Sequence, residues 1–113
     1  MSDQRLGEFE EIILLLVGIL AEEAYAFRIG DEYATQTGKI SSIGAIHATL
    51  SRLEQKGYLK SLQSDPTPVR GGRRKRIYRI TALGQRVLDE SRQLRQSLWN
   101  QFPGFQDLSF SYE

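Results

Sequence analysis

Residues 42–59 read SIGAIHATLSRLEQKGYL, a segment that predicts a helix with one side packed against a core. Its apolar positions follow one another at intervals of three, four and three residues, the clearest helical period in the chain. They are Ile43, Ile46, Leu50 and Leu53. Ser41 or Ser42 can cap the unpaired amide groups of the first turn, and Gly57 predicts the end of the helix.

The opposite side of this helix carries small or polar side chains. They are Gly44, His47, Ala48, Ser51 and Gln55. Because short side chains allow another molecule to approach closely, this face is suited to enter the major groove of DNA, which is wide enough for a helix.

Two runs of alternating apolar and polar residues follow, at 58–63 and 76–80, and they predict a pair of strands. Prolines and glycines between the runs predict the connecting loop of a hairpin. Basic residues are concentrated at this loop and where the second strand begins. They are Arg70, Arg73, Arg74, Lys75 and Arg76. A helix followed by a basic hairpin indicates a winged helix-turn-helix, in which the hairpin contacts phosphates or the minor groove.

Three further helices are expected, over about 7–23, over 26–37, and from near Thr81 to about Phe102. The first is apolar on more than one face, so it must be buried on two sides. The last is about 30 Å long at 1.5 Å per residue, so part of it projects from a small domain and needs a partner. The residues expected at a dimer interface are Phe9, Ile13, Leu16, Leu20, Leu88, Leu94, Leu98, Trp99 and Phe102.

Trp99 has three interpretations: a core residue, part of the dimer interface, or a platform on which a planar ligand stacks. We expect it at the interface and keep the ligand platform as an alternative. Two other aromatic residues, Tyr25 and Phe27, are expected in the core.

Composition and charge exclude several classes of protein. The chain has 113 residues and no cysteine, and its only histidine is His47, so disulfides, a zinc site and any other metal or cofactor are not expected. The longest apolar run, 12–20, is too short to span a membrane, and its acidic flanks do not fit a signal peptide. We therefore expect a cytoplasmic protein without a membrane segment.

The near-neutral total charge hides a strong separation along the chain. Residues 1–33 contain eight acids and two bases, whereas residues 56–79 contain eight bases and one acid. A basic segment of this density indicates a polyanionic partner, here double-stranded DNA.

Three segments resemble the PadR family of transcriptional regulators. Residues 42–59 resemble its third helix, and GGRRKRIYRITALG at 71–84 resembles its wing and the start of its last helix. AYAFRI at 24–29 resembles the entry to its second helix. The resemblance implies a regulator, usually a repressor, that binds a two-fold operator as a homodimer joined through its first and last helices. Some members of that family respond to phenolic compounds or drugs.

One position departs from the family pattern. The resemblance places a Tyr-Pro pair where this chain has His47 and Ala48, and the tyrosine is expected to contact the DNA backbone. His47 can donate a hydrogen bond to a phosphate instead, more strongly when it is protonated, so we expect pH-sensitive binding.

The predicted fold is mainly α with a small β-hairpin, a winged helix-turn-helix with a long C-terminal dimerisation helix. Residues 1–80 form the DNA-binding domain, 81–105 the dimerisation helix of the same compact unit, and 106–113 a flexible tail. The predicted DNA contacts are Ser41, Ser42, Gly44, His47, Ser51, Arg52, Arg70, Arg73, Arg74, Lys75 and Arg76.

For each of these contacts the alternative is an ordinary solvated face or a solubilising loop. Arg52 in particular fits a phosphate contact and a plain surface charge equally well. For the whole chain, the alternative is a winged-helix module that binds a protein and not DNA. An enzyme is not expected, because the sequence offers neither a phosphate-binding glycine loop after a strand nor a general acid–base pair.

Overall fold

A computed structural model describes residues 6–63 and 75–104 of the chain. The helices and strands follow in the order α1 (Glu8–Leu20), a short 3-10 turn (Ala21–Glu23), α2 (Ala26–Thr37), α3 (Ile43–Gln55), β1 (Leu59–Gln63), β2 (Arg76–Ile80) and α4 (Ala82–Gln101). The mainly helical fold with a two-stranded hairpin and a long C-terminal helix is confirmed. The predicted tail, 106–113, lies outside the described residues.

Local signals in the sequence set the ends of the helices. Ser42 is the residue that caps α3, because its hydroxyl accepts a hydrogen bond from the Ala45 amide at 3.0 Å. Gly38 and Gly57 follow α2 and α3 with φ of 73° and 84°, a left-handed conformation that favours glycine. The first helix ends at Leu20, earlier than predicted, because the chain turns at Ala21 with φ of 55°.

Strands β1 and β2 are antiparallel, and Leu59 lies opposite Ile80 while Gln63 lies opposite Arg76. Opposite residues point to the same side of a hairpin, so Ser61, Gln63, Arg76 and Tyr78 share one face. The connecting residues, 64–74, lie outside the described part of the chain.

The core lies where α1, α2 and α3 meet. Ile46, Leu50 and Leu53 of α3 are fully buried, as their spacing predicts, whereas Ile43 at the start of the helix is partly exposed. They belong to one cluster with side chains of α1 and α2, among them Ile13 and Ile29. Each such side chain contributes about 1.5–3 kcal/mol when it leaves water, so this cluster fixes α3 in place.

Thr81 and Gly84 attach the start of α4 to the segment that follows α3. The Thr81 hydroxyl accepts a hydrogen bond from the Gly84 amide at 3.0 Å and donates one to the Gly57 carbonyl at 2.5 Å. The Thr81 amide donates to the Tyr58 carbonyl at 3.0 Å. A side chain at Gly84 would overlap that same Tyr58 carbonyl, so the close approach requires glycine.

Within the described part of the chain, the buried side chains of α4 all lie in its first half. Val87 and Leu88 are buried against the core, but every residue from 92 to 103 is exposed. None of the described helices has both the length and the apolar character that a bilayer span requires.

Candidate nucleic-acid interface

The face of α3 that points away from the core is open. Gly44, His47 and Ser51 are exposed, and a Cβ atom added at Gly44 would have no neighbour within 4 Å. Ser42 caps the helix, and Ser41 before it is half-buried. Ser41 and Ser42 thus directly precede α3, and the other three residues lie on its outer face, while contact of all five with DNA stays a prediction.

An open groove of about 390 Å³ runs between this face, the start of α2 and the loop end of strand β2. It is lined by Tyr25, Ala26, Phe27, His47, Ser51, Lys75, Arg76 and Tyr78. Four of the predicted contact residues thus come together although they lie on two separate elements, α3 and the start of β2. We call this the α3–hairpin groove.

Aromatic side chains form much of the wall of the α3–hairpin groove. The ammonium group of Lys75 lies 4.1 Å from the centroid of the Tyr25 ring, a cation–π distance. Burial raises the pKa of the Tyr78 hydroxyl, and the Glu54 carboxylate adds to the effect, so this phenol stays neutral.

Phe27 corrects the sequence interpretation. It was expected in the core, but 70% of it is exposed at the groove, and Tyr25 is only half-buried. The buried residues of α2 are Ala26, Ile29 and Tyr33, so Phe27 lies next to the buried face of the helix and not on it.

Arg76 is held by a short chain of hydrogen bonds that leads to α3. Its guanidinium donates to the Ser61 hydroxyl at 2.9 Å, and that hydroxyl donates to the Glu54 carboxylate at 2.8 Å. Arg70, Arg73 and Arg74 lie outside the described residues, so their predicted contacts remain predictions.

Arg52 is used to join helices. Its guanidinium donates to the Glu10 carboxylate at 3.3 Å and to the Thr49 hydroxyl at 3.1 Å. Lys56 reaches the same carboxylate at 3.1 Å. These bonds tie α3 to α1 and favour a structural role for Arg52 over a phosphate contact.

Glu10 is the centre of this network, and it was missed in the sequence because its cationic partners lie more than 40 residues away. Burial alone would raise the pKa of Glu10. The Gly7 amide and the Lys56 and Arg52 side chains outweigh burial, and the pKa is held below its ordinary value. The carboxylate is therefore charged at neutral pH, and its negative charge pairs with Arg52 and Lys56.

The outer half of α4 presents an apolar surface. Leu94, Leu98, Trp99 and Phe102 are each more than half exposed, and the rings of Trp99 and Phe102 pack edge to face at 5.8 Å. Leu15 and Ile19 of α1 are exposed as well. We call these six residues the α1–α4 apolar surface.

The predicted interface residues on α1 need a correction. Ile13 and Leu16 are buried in the core of the chain itself, so they have no surface to offer a partner. Phe9 packs against Tyr33 with ring centroids 5.2 Å apart, and Leu20 is half-buried. On α4, Leu88 is buried. The exposed side of α1 is instead that of Leu15 and Ile19.

A second groove, of about 490 Å³, separates α1 from α4. Its apolar wall includes Leu15, Ile19, Ile80, Leu88 and Trp99, and its rim includes Glu11, Asp89, Arg92 and Arg95. Among residues 6–63 and 75–104, no cluster of histidine and acidic side chains could hold a metal ion.

A capped helix with an open polar face beside a basic two-stranded hairpin defines a winged-helix DNA-binding protein. The comparison with known families agrees. The sequence model of the Transcriptional regulator PadR-like family matches residues 14–90, and the chain belongs to this family. Its members are transcription regulators and not enzymes, and DNA is their partner.

Individual relatives support the assignment. An uncharacterised protein of Lysinibacillus sphaericus is 35% identical over 91 residues, 79% of each chain. A PadR family transcription regulator of Clostridium difficile R20291 is 30% identical, with a TM-score of 0.59 over 82% of this chain and 98% of that one. A padr family transcriptional regulator of Eggerthella lenta is 26% identical, with a TM-score of 0.62 over 82% of this chain and 80% of that one.

Proposed function

We propose that the chain is a sequence-specific repressor that binds a two-fold DNA operator as a homodimer and is released by a small aromatic ligand. The α3–hairpin groove carries this proposal, because it joins an open helix face to two cationic side chains, Lys75 and Arg76. A helix face of this kind reads base edges, while cations beside it neutralise phosphates.

Each part of the interface has a separate task in this proposal. The start of α3, with Ser41, Ser42 and Gly44, approaches the base edges, since the first residues of a recognition helix enter the groove most deeply. His47 and Ser51 donate hydrogen bonds to the adjoining phosphates, and Lys75 and Arg76 add charge.

The homodimer is supported by the α1–α4 apolar surface. Monomeric proteins rarely leave a contiguous patch of large apolar side chains in water, and here six such residues lie on α1 and α4. A second copy of the chain presents the same patch, so a two-fold contact buries both at once.

The ligand is supported by the groove between α1 and α4. Its volume of about 490 Å³ is in the range of small-molecule sites. Trp99 is 68% exposed there and offers a flat face on which a planar aromatic molecule can stack.

The first test is a fluorescence-anisotropy titration of the protein against DNA from upstream of its own gene, over a salt series with scrambled competitor. Tight, competitor-resistant binding that weakens as salt rises supports the proposal. Lys75→Ala should weaken binding to all sequences and lower the salt slope by about one, as expected for one lost phosphate contact.

Arg86→Ala is the matched control, because it removes one exposed positive charge from α4, outside the lining of the α3–hairpin groove. It should leave both the affinity and the salt slope unchanged. If the wild-type protein binds neither its own upstream DNA nor other genomic fragments at low salt, the proposal is contradicted. That result would favour a winged-helix module with a protein partner. Transcription in vitro from the same promoter, with and without the protein, distinguishes repression from activation.

A further inference from the structure

We propose that Glu54 and Ser61 are positioning residues that fix the hairpin against α3 and aim Arg76 at the DNA backbone. This inference rests on the proposed DNA binding. It gives a role to two residues that are not among the DNA contacts predicted from the sequence.

The geometry links three elements through one hydroxyl group. Ser61 lies on β1, Arg76 lies on β2, and Glu54 lies in the last turn of α3. The Ser61 oxygen accepts from the Arg76 guanidinium at 2.9 Å, and its proton is given to Glu54 at 2.8 Å. Since a serine hydroxyl has a single proton, both the direction of the donation and the rotation of the side chain are fixed.

The strand register places these groups on the correct side of the hairpin. Ser61 is opposite Tyr78 and Gln63 is opposite Arg76, so Arg76 reaches its diagonal neighbour Ser61 on one face. Tyr78 and Arg76 both line the α3–hairpin groove, so this is the face directed at the interface.

Within residues 6–63 and 75–104, the bond to Ser61 leaves most of the Arg76 guanidinium available. Arginine has five N–H donors in a rigid fork, and one is committed here to a neutral hydroxyl. The remaining donors can bind a phosphate in bidentate fashion, with their direction already set. A preorganised side chain loses less conformational entropy when it binds.

The charge of Glu54 makes the inference testable. A carboxylate near phosphates repels them, so by charge alone its removal should strengthen binding to every DNA sequence. If Glu54 acts by positioning Ser61 and Arg76, its removal should instead weaken binding to the operator.

The experiment compares Glu54→Ala with Glu54→Gln. Both variants remove the charge, but the glutamine amide oxygen can still accept the Ser61 hydroxyl. We expect Glu54→Ala to weaken operator binding roughly 5- to 10-fold, and Glu54→Gln to restore it to wild-type affinity or better. Non-specific binding should also weaken in Glu54→Ala, because the misplaced Arg76 contacts the backbone of any sequence, and it should be unchanged or stronger in Glu54→Gln.

Ser61 supplies the second pair of variants. Ser61→Ala should give the same loss as Glu54→Ala, while Ser61→Thr, which keeps the hydroxyl, should bind as the wild type does. Glu90→Ala on α4 is the control for loss of an exposed acid. Circular dichroism and thermal unfolding establish that each variant is folded. Amide hydrogen exchange across 59–63 and 76–80 should be faster in Ser61→Ala, a readout that requires no DNA.

The outcomes separate the two proposals. The positioning role would be overturned if Glu54→Ala and Glu54→Gln strengthened operator binding equally, or if Ser61→Ala bound the operator as the wild type does. Either result would leave the proposed DNA binding intact. A wild-type protein that binds no DNA would overturn both.

Discussion

Glu10 and Glu11 are neighbours in the chain but bind to different helices. The Glu10 carboxylate accepts hydrogen bonds from Arg52 of α3 at 3.3 Å and from Lys56, the residue that follows α3, at 3.1 Å. The Glu11 carboxylate accepts from Ser91 and Arg95 of α4, at 3.2 and 3.3 Å. The first turn of α1 thus joins the helix proposed to read DNA to the helix proposed to form the dimer. The relative placement of the two depends on this turn.

Glu10→Gln should lower the free energy of unfolding at pH 7 by roughly 1–2 kcal/mol, because the ion pairs with Arg52 and Lys56 are lost and only the weaker hydrogen bonds of a neutral amide oxygen can replace them. The pKa of Glu10 is lower in the folded chain than its ordinary value of 4.5. Its contribution is therefore complete above pH 4.5 and is lost as the pH falls through the folded pKa. Urea unfolding at pH 7 and at stepwise lower pH should show the gap to wild type closing in acid.

Glu8→Gln is the control, since Glu8 is an exposed acid on the same turn of α1. It should change stability by a few tenths of a kcal/mol only. A gap for Glu10→Gln that stays constant, or that widens in acid, would contradict the network described for Glu10.

Gly84→Ala should destabilise the fold by roughly 1–3 kcal/mol, because the added methyl group overlaps the Tyr58 carbonyl oxygen. This effect opposes the gain of about 1 kcal/mol that alanine ordinarily brings to a helix. Gly44→Ala is closely matched, since both glycines lie in the first turn of a helix capped by a hydroxyl. Its Cβ meets open space, so stability should be equal or slightly higher. Thermal unfolding of both variants, compared with wild type, is the measurement, and equal melting temperatures would contradict the close approach.

Leu94→Glu with Leu98→Glu should convert the proposed dimer into a monomer, because two charges then replace apolar side chains at its centre. Gln93→Glu with Ser97→Glu introduces the same charges on the same stretch of α4, but on its polar face. That control should remain a dimer. Sedimentation velocity at several concentrations decides between the two states. Dimers of equal strength in both variants would place the interface elsewhere.

His47→Ala should weaken operator binding by about 1–2 kcal/mol, or roughly tenfold, because one hydrogen bond to a charged phosphate is lost. His47→Tyr should keep much of the affinity, since a phenol can donate to the same group. Anisotropy titrations with operator and scrambled DNA measure both effects. Equal affinity of His47→Ala and the wild type at every salt concentration would show that His47 is only a solvated surface residue.

Much of the fold follows from signals that act over a few residues. The bounds of α2 agree with the prediction, and α3 begins after one of the two serines expected to cap it, because caps and glycines act locally. The position of α3 against the hairpin could also be inferred from the order of the elements. The four groove residues predicted from α3 and β2 do meet, as their placement in a winged helix requires.

Contacts between distant segments could not be predicted in this way. Helix α1 is apolar on nearly all sides, so its sequence does not distinguish Ile13 and Leu16, which face the core, from Leu15 and Ile19, which face water. The partners of Glu10 are 42 and 46 residues away, and nothing local marks an acid beside an apolar run as paired. Phe27 is exposed because Ala26 and Ile29 occupy the core positions of α2. Which side of the helix is buried depends on how α2 packs against the other helices.

The exposure of residues 92–103 has a consequence for gene dosage. In the proposed homodimer, pairing buries the α1–α4 apolar surface, and by mass action the paired fraction grows with the number of copies in the cell. The proposed two-fold operator is matched by pairs and not by single chains. While copies are scarce, the proposal therefore predicts that doubling expression raises operator occupancy about fourfold, and that the promoter responds to abundance as a threshold.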